Sequence, residues 1–195
     1  MASHTITFPI TDSQEILQLR AGDEVTVQGH IIGIRDRTQM RIFDEGVEPP
    51  LDLNGAFLLH TAPNVRKLDN GCYEKICIGT TTSARMARFT EPLGAQYGVR
   101  AICGKGGFPD SVIESMASLG MVYFAIVGGA AALETTQIEE IEEVMWEELM
   151  PECFWKFRVK DFGSLTVGID AHGNSLYHDV QTRANAKLEE ILAKL

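Results

Sequence analysis

The middle of the chain alternates short apolar runs with stretches of helical spacing, and this order constrains the fold most. Glu74 to Ile78 is a candidate strand, Ser83 to Tyr97 has the spacing of a helix, and Gly98 to Cys103 is a second strand. Pro109 to Leu119 predicts another helix, and Met121 to Val127 predicts a fully apolar strand. Strands that are separated by helices join as a parallel sheet with right-handed crossovers. The sequence therefore predicts the α/β class, with a parallel sheet over this whole region.

Segments on both sides of this region add further strands. Glu24 to Arg35 alternates apolar and polar residues, which indicates a half-buried strand, and Gly55 to Ala62 predicts a buried one. Phe154 to Asp161 and Leu165 to Asp170 predict a hairpin around Phe162-Gly163.

The last third of the chain is less uniform. Glu139 to Leu149 mixes acidic and apolar residues and fits an edge strand and an exposed helix equally well. Gln181 to Leu195 predicts an amphipathic helix with one apolar face, formed by Leu188, Ile191, Leu192 and Leu195. With 195 residues, 45% of them apolar, the chain is long enough to bury a stable core without disulfide bonds or structural metal ions. We expect residues 1–195 to form a single domain.

The charge balance excludes several kinds of partner. The formal net charge is −10, from 17 basic and 27 acidic residues, and no basic block stands out. Nucleic acid is therefore not expected as a partner, because phosphate neutralisation needs a basic face. No apolar run reaches the roughly 18 residues that a membrane span needs. Met1 to Thr5 lacks a basic region followed by an apolar stretch, so we expect a cytoplasmic protein.

The metal-binding residue types do not form a self-contained site in the sequence. Cys72, Cys77, Cys103 and Cys153 show no CxxC or CxxxC spacing, and the histidines form no HxxH or HxxxH pair. We expect reduced thiols in or near the core and no metal ligand from this chain alone.

The segment Gly79-Thr-Thr-Thr-Ser-Ala-Arg-Met86 sets hydroxyl groups and a fixed cation beside a predicted helix start. We expect a strand to end near Ile78 and a helix to begin within Thr80 to Ser83, where free N–H groups could bind a carboxylate. Ordinary capping by threonine or serine is the alternative. Arg85 favours a ligand site, because a guanidinium group can form two hydrogen bonds with one carboxylate.

Two further cations are candidates for the same site. Lys105 lies among glycines that let a ligand approach the backbone, although a solvated loop lysine is the alternative. It follows Arg85 by 20 positions, which leaves room for one helix and one strand, so both cations can reach one edge of a sheet. Arg35, at a predicted strand end, is either a site residue or part of a surface ion pair with Asp36. Neither GxxxxGK[ST] nor GxGxxG occurs, so nucleotide binding is disfavoured.

These motifs, in their order, resemble the β subunits of the class I, iron-sulfur fumarate hydratases and L-tartrate dehydratases. The combination of GTTTSARM with GKGG is specific, and the other matching segments support it over most of the chain. The matching segments are Leu19 to Val25, Arg35-Asp36, Gly79 to Met86, Gly104 to Gly107, Gly128 to Leu133, Val159 to Gly163 and Asp170 to Asn174.

The resemblance implies a swivelling β/α domain with a mixed, partly parallel sheet flanked by helices. It also implies a separate α subunit, or a fused N-terminal domain, that carries a [4Fe-4S] cluster on three cysteines and leaves the fourth iron open to substrate. In such hydro-lyases the open iron acts as a Lewis acid on the leaving hydroxyl group, while protein groups handle the proton. We expect a hetero-oligomer with the cluster-bearing α subunit, with a homodimer of the isolated chain as the alternative.

Carried over residue by residue, the family pattern makes Thr81, Arg85 and Lys105 the catalytic residues. The same three residues and Arg35 are the substrate-binding set, and Thr81 is a candidate proton-handling hydroxyl. The family motif usually runs Arg-Asp-x-x-His, whereas Gln39 stands at the histidine position in this chain. Glutamine does not titrate. If the histidine transfers a proton in the family, this member must therefore use another group, act more slowly or prefer another substrate.

Three functions compete on this basis. The leading interpretation is the reversible hydration of fumarate to malate, together with the cluster-bearing subunit. Dehydration of L-tartrate to oxaloacetate is the alternative within the class, because the motifs do not separate the two diacids and Ile138 to Val144 looks more like the tartrate type. A non-catalytic dicarboxylate-binding or assembly module is the alternative from another class, which Gln39 and the missing cluster ligands would permit.

Overall fold

The computed structural model describes residues 1–192. The strands within this range are β1 (Ser3–Phe8), β2 (Glu24–Ile34), β3 (Phe57–His60), β4 (Asn64–Lys67), β5 (Tyr73–Cys77), β6 (Ala101–Gly104), β7 (Val122–Ala125), β8 (Ile138–Met145) and β9 (Phe154–Ile169). The α-helices are α1 (Gln14–Leu17), α2 (Asp36–Phe43), α3 (Ala87–Tyr97), α4 (Asp110–Leu119) and α5 (Leu176–Leu192). Short 3₁₀ helices cover Ser83–Met86, Gly129–Gln137 and Glu147–Leu149.

A mixed seven-stranded sheet organises the chain, in the order β1-β2-β3-β6-β7-β9-β8. The first five of these strands are parallel to their neighbours, while β9 is antiparallel to β2, β7 and β8. Because β9 pairs with both β7 and β2, the sheet closes on itself from β2 to β9. The predicted α/β class, with a mixed and partly parallel sheet flanked by helices, is confirmed.

Apolar side chains cover both faces of this sheet. Leu58 points towards the helices and packs in one cluster with Met86 and Phe89, whereas Phe57 and Leu59 belong to the cluster on the other face. This alternation along β3 follows from the two-residue period of a strand. Each fully buried side chain of this size stabilises the fold by about 1.5–3 kcal/mol. The parallel strands are therefore held rigidly, and so are the residues that follow their ends.

The predicted hairpin between Phe154 and Asp170 is wrong. β9 is one continuous strand of 16 residues, and it pairs with β2 on both sides of Gly163. Asp161 (φ 52°) and Gly163 (φ 136°) have positive φ, and the pairing with β2 shifts register opposite this stretch. These features mark a bulge, which interrupts the alternation of a strand just as a turn would. The sequence pattern alone cannot separate the two.

One strand of the predicted parallel sheet does not belong to it. The strand expected at Glu74 to Ile78 exists as β5, but it pairs antiparallel with β4 in a separate two-stranded sheet. A short connection favours such local antiparallel pairing, and the mostly exposed residues of β4 gave no apolar signal in the sequence. The ambiguous segment Glu139 to Leu149 forms the edge strand β8 and then a short 3₁₀ helix.

The predicted terminal helix is present and begins earlier than expected. α5 starts at Leu176, and Leu188, Ile191 and Leu192 are each more than half exposed. Leu195, the fourth residue of the predicted apolar face, lies outside the described residues. None of the helices in the described part of the chain is long and apolar enough to cross a membrane.

Candidate active site

The candidate residues lie at the edge of the sheet where its parallel strands end. β2 ends immediately before Arg35, β3 ends at His60, and β6 ends immediately before Lys105. These three strands are neighbours in the sheet. Ligands of α/β folds bind outside the carboxyl ends of the strands, so this edge, which we call the rim, is the expected place for a site.

The threonine segment bridges the ends of β3 and β6. Thr81 N donates to His60 O at 2.9 Å, Lys105 N donates to Thr81 O at 3.2 Å, and Ser83 N donates to Lys105 O at 3.1 Å. The backbones of Thr81 and Lys105 are therefore fixed side by side. The expectation of free N–H groups for an anion fails at Thr81 and Ser83, because the carbonyl groups of His60 and Lys105 already accept their bonds. The helix that follows begins as a 3₁₀ helix at Ser83.

Arg85 folds back onto Thr81, four positions before it. Its Nη2 donates to Thr81 Oγ1 at 2.8 Å and to Asp36 Oδ2 at 3.2 Å. The side chain is 49% exposed, so part of the guanidinium group still faces solvent. Thr82, which precedes the 3₁₀ helix, forms no side-chain capping bond. Capping of the helix N-terminus therefore does not explain the hydroxyl group of Thr82.

One carboxylate oxygen joins the two arginines of the rim. Asp36 Oδ2 lies 3.2 Å from Arg35 Nε and 3.2 Å from Arg85 Nη2. Glu152 Oε1 lies 3.5 Å from the same Arg35 nitrogen. The ion pair between Arg35 and Asp36 therefore exists, and it also ties Arg35 to Arg85. Both guanidinium groups are therefore held against one carboxylate oxygen in the free chain.

Lys105 is half-buried, and its side chain runs beside Gly128. A β-carbon built on Gly128 would lie 3.2 Å from Lys105 Cδ and 3.5 Å from Lys105 Nζ, so any side chain at position 128 would crowd the lysine. Gly106, on the other side of the lysine, has a φ of 78°, a conformation that favours glycine. Gly106 and Gly128 thus leave room for the ammonium group of Lys105.

A buried hydrogen-bonded row lies beneath the rim. His60 Nδ1 is 2.9 Å from Ser83 Oγ, and Tyr123 OH donates to the same oxygen at 3.1 Å. All three side chains are fully buried. Burial lowers the pKa of His60 to about 3, with Asp36 opposing this shift and Arg85 adding to it. The imidazole is therefore neutral at physiological pH. Sequence reasoning missed this row, and its one local signal was a histidine that closes an apolar strand.

Gln39 lies in the helix layer and not on the rim. Its side chain is fully buried, and its Nε2 is 2.9 Å from Met86 Sδ. The residue at the family's histidine position therefore presents no surface to a substrate in this chain.

The cysteines do not fit the role of cluster ligands. Cys103 and Cys153 are buried, Cys77 is half-buried and Cys72 is exposed. Burial raises the pKa of the Cys103 thiol and raises that of Cys153 to about 11, which disfavours the thiolate that binds iron. Among the side chains that the structure describes, no three of His, Cys, Asp or Glu come together in a way that could hold a metal ion.

The fold is an α/β sheet whose strand ends carry cations and a hydroxyl group at the rim, an arrangement that suits the binding of an anion. Residues 4–180 match the family model described as Fumarase C-terminus, and the chain belongs to this family. The resemblance inferred from the motifs is confirmed.

Two relatives illustrate the range of the family. The chain is 39% identical over 172 residues to the L(+)-tartrate dehydratase subunit beta of Escherichia coli K12, a match that covers 88% of this chain and 85% of that protein. It is 36% identical over 187 residues to a Geobacillus stearothermophilus protein named putative fumarate hydratase class I, which covers 95% of this chain but 36% of that longer protein. These names support a hydro-lyase β subunit.

Proposed function

We propose that this chain is the β subunit of an iron-sulfur hydro-lyase acting on a four-carbon dicarboxylate, with the reversible hydration of fumarate to malate as its leading activity. The observation that carries the proposal is the connected group on the rim, in which Arg85 contacts both Thr81 and the carboxylate that holds Arg35. Membership of the family supports the class of reaction.

In this reaction the rim binds and orients the diacid. The N–H groups of Arg85 that Thr81 and Asp36 leave free can pair with a substrate carboxylate, and Arg35 and Lys105 supply further positive charge nearby. Hydration adds a hydroxyl group to one carbon of the double bond and a proton to the other. Thr81 is the candidate for handling that proton, because the bond from Arg85 favours negative charge on its oxygen.

We assign the [4Fe-4S] cluster to a partner α subunit, because the residues of this chain do not fit as its ligands. The relative from Geobacillus stearothermophilus supports this division, since the match covers 36% of that protein and leaves the rest for other domains. The open rim is the surface that such a partner would cover to complete the active site.

A mixing experiment tests the proposal. This chain and its cluster-bearing partner are purified separately without oxygen, and the ultraviolet absorbance of the fumarate double bond is followed for each half and for the mixture. Turnover by the mixture and by neither half supports the proposal. If the mixture is inactive but calorimetry detects fumarate binding to the isolated chain, the non-catalytic dicarboxylate-binding module replaces it.

Dehydration of L-tartrate to oxaloacetate is the second candidate, and the match to the Escherichia coli tartrate dehydratase subunit favours it. The same mixture is assayed with L-tartrate, and oxaloacetate is detected through its reduction by malate dehydrogenase and NADH. The ratio of kcat/KM for the two diacids decides which is the better substrate. A ratio in favour of L-tartrate would make the tartrate reaction the leading activity and fumarate hydration the second.

A further inference from the structure

The buried row of His60, Ser83 and Tyr123 supports the segment that carries the candidate catalytic residues. Ser83 lies two positions after Thr81 and two before Arg85. It is fixed at its backbone by the bond to Lys105 O and at its hydroxyl by His60 and Tyr123. A displacement of Ser83 would therefore move both neighbours on the rim.

The last residue of β6 leaves a defined space for this hydroxyl group. A β-carbon on Gly104 would overlap Ser83 Oγ, so only glycine at this position lets the serine approach the strand. The serine is thus enclosed by a strand end, an imidazole and a phenol, all without exposure to solvent. Its orientation is set by the core and not by chance contacts at the surface.

The protons of the row can be placed by counting donors and acceptors. With Tyr123 OH donating to Ser83 Oγ, the single hydroxyl proton of Ser83 needs an acceptor of its own, and we assign this role to His60 Nδ1, which lies within reach. A neutral imidazole that accepts at Nδ1 carries its hydrogen on Nε2. His60 Nε2 is buried and has no hydrogen-bond partner among the described residues.

This arrangement has an energetic consequence. A buried N–H group without a partner destabilises a fold, and an apolar side chain would avoid that cost at the end of an apolar strand. A histidine at this position is therefore better explained by the bond between its Nδ1 and Ser83 Oγ than by packing.

We propose that His60 is a positioning residue of the active site. As a neutral acceptor for Ser83, it fixes the segment from Thr81 to Arg85 in the conformation that brings both side chains to the rim. The inference rests on the function proposed above and adds a role for a side chain that does not touch the substrate.

Two substitutions at position 60 separate this role from simple packing. In His60→Asn the amide oxygen stands about where Nδ1 stood and can still accept from Ser83, whereas His60→Leu fills the space without an acceptor. Asp170→Asn is the control, because Asp170 is also fully buried and hydrogen-bonded but lies where β9 ends and bonds to Ala21, before β2 begins. It is therefore near the opposite edge of the sheet from the rim.

The first readout is structural and needs no activity. In the isolated chain labelled with ¹⁵N at histidine, His60 should show the neutral tautomer with hydrogen on Nε2. Amide exchange at Thr81, Ser83 and Lys105 should accelerate in His60→Leu, and should stay near the wild-type rate in His60→Asn and Asp170→Asn. The tautomer with hydrogen on Nδ1, or equal exchange in both His60 variants, would overturn the proposal.

The second readout is the activity of the reconstituted pair. His60→Leu should lower kcat/KM at least about tenfold, since small misplacements of catalytic groups cost one to two orders of magnitude, while His60→Asn stays within about threefold of the wild type. If His60→Leu does not fold, Ser83→Ala removes the same bond and should show the same loss. A wild-type pair without turnover would refute the proposed function, while the exchange and tautomer results would still decide whether His60 holds the segment.

Discussion

Replacement of Arg85 by alanine separates the proposed chemistry from the fold. In the free chain the Arg85 side chain is half exposed, and its contacts are the ion pair with Asp36 and the bond to Thr81. Exposed ion pairs contribute about 0–1 kcal/mol to stability. Arg85→Ala should therefore change the free energy of unfolding by no more than about 1 kcal/mol, equivalent to a shift of about 2–4 °C in Tm for a chain of this size.

The effect on catalysis should be much larger. When a partner subunit covers the rim, the pair between Arg85 and a substrate carboxylate becomes buried, and removing one side of a buried pair costs about 3–5 kcal/mol. At about 1.4 kcal/mol for each factor of ten, kcat/KM should fall by roughly two to four orders of magnitude. Arg85→Lys keeps the charge but loses the planar fork, so it should recover only part of this loss.

The neighbouring Arg88 provides a matched control. It is 58% exposed and pairs with Asp44 through two hydrogen bonds of 2.8 and 2.6 Å, so Arg88→Ala removes a comparable surface ion pair outside the rim. Steady-state kinetics of the reconstituted pair and thermal unfolding of the isolated chain are measured for both variants. Arg88→Ala should keep kcat/KM within about twofold of the wild type. Equal kinetics for the Arg85 and Arg88 variants would remove Arg85 from the site.

Three further outcomes are expected. Lys105→Met should raise the KM for the diacid by removing a cation, and an unchanged KM and turnover in steady-state kinetics would contradict its assignment. Gln39→His should leave turnover within about twofold of the wild type, because position 39 is sealed inside the helix layer; a large gain in the same assay would show that this position reaches the substrate. The free energy of unfolding should fall as the pH drops below 6.5, because the unfolded chain then binds a proton on His60 that the native state, with a pKa of about 3, does not. Urea denaturation should show that the stability of the wild type relative to His60→Asn falls by about 1.4 kcal/mol per pH unit from about pH 6 to 4 and stays constant from about pH 7 to 8. A constant difference over the whole range would show that His60 binds a proton as readily in the native state as in the unfolded chain.

Local sequence patterns predicted the helices and strands better than they predicted which strands pair with each other. The helix from Pro109 to Leu119 and the strand after it came out nearly as expected, because an apolar period depends only on nearby residues. The closure of the sheet by β9 was not predictable in the same way. It depends on pairing between residues more than 100 positions apart, such as Gly33 with Trp155, and no local pattern encodes that register.

The same distinction applies to the site. The four-residue spacing of Thr81 and Arg85 placed both side chains on one turn, and the structure shows them in contact. The bridge through Asp36 joins Arg85 to a residue 49 positions earlier, and His60 meets Ser83 from 23 positions away. Motif spacing therefore identified the side chains on the rim, but the polar network beneath them depends on how β3, β7 and α2 meet.

The charge distribution supports the proposal that the rim acts only when a partner covers it. A chain with a net charge of −10 repels a dianionic substrate at long range, so capture depends on contacts within about 8 Å, the screening length at physiological salt. In the free chain Asp36 offsets part of the charge of the two arginines, and water weakens what remains. A partner that excludes water from the rim strengthens every pair between these cations and the substrate without moving any residue of this chain. The electrostatics of the open edge therefore support the proposed dependence on a second subunit, in addition to the cofactor that the partner is proposed to carry.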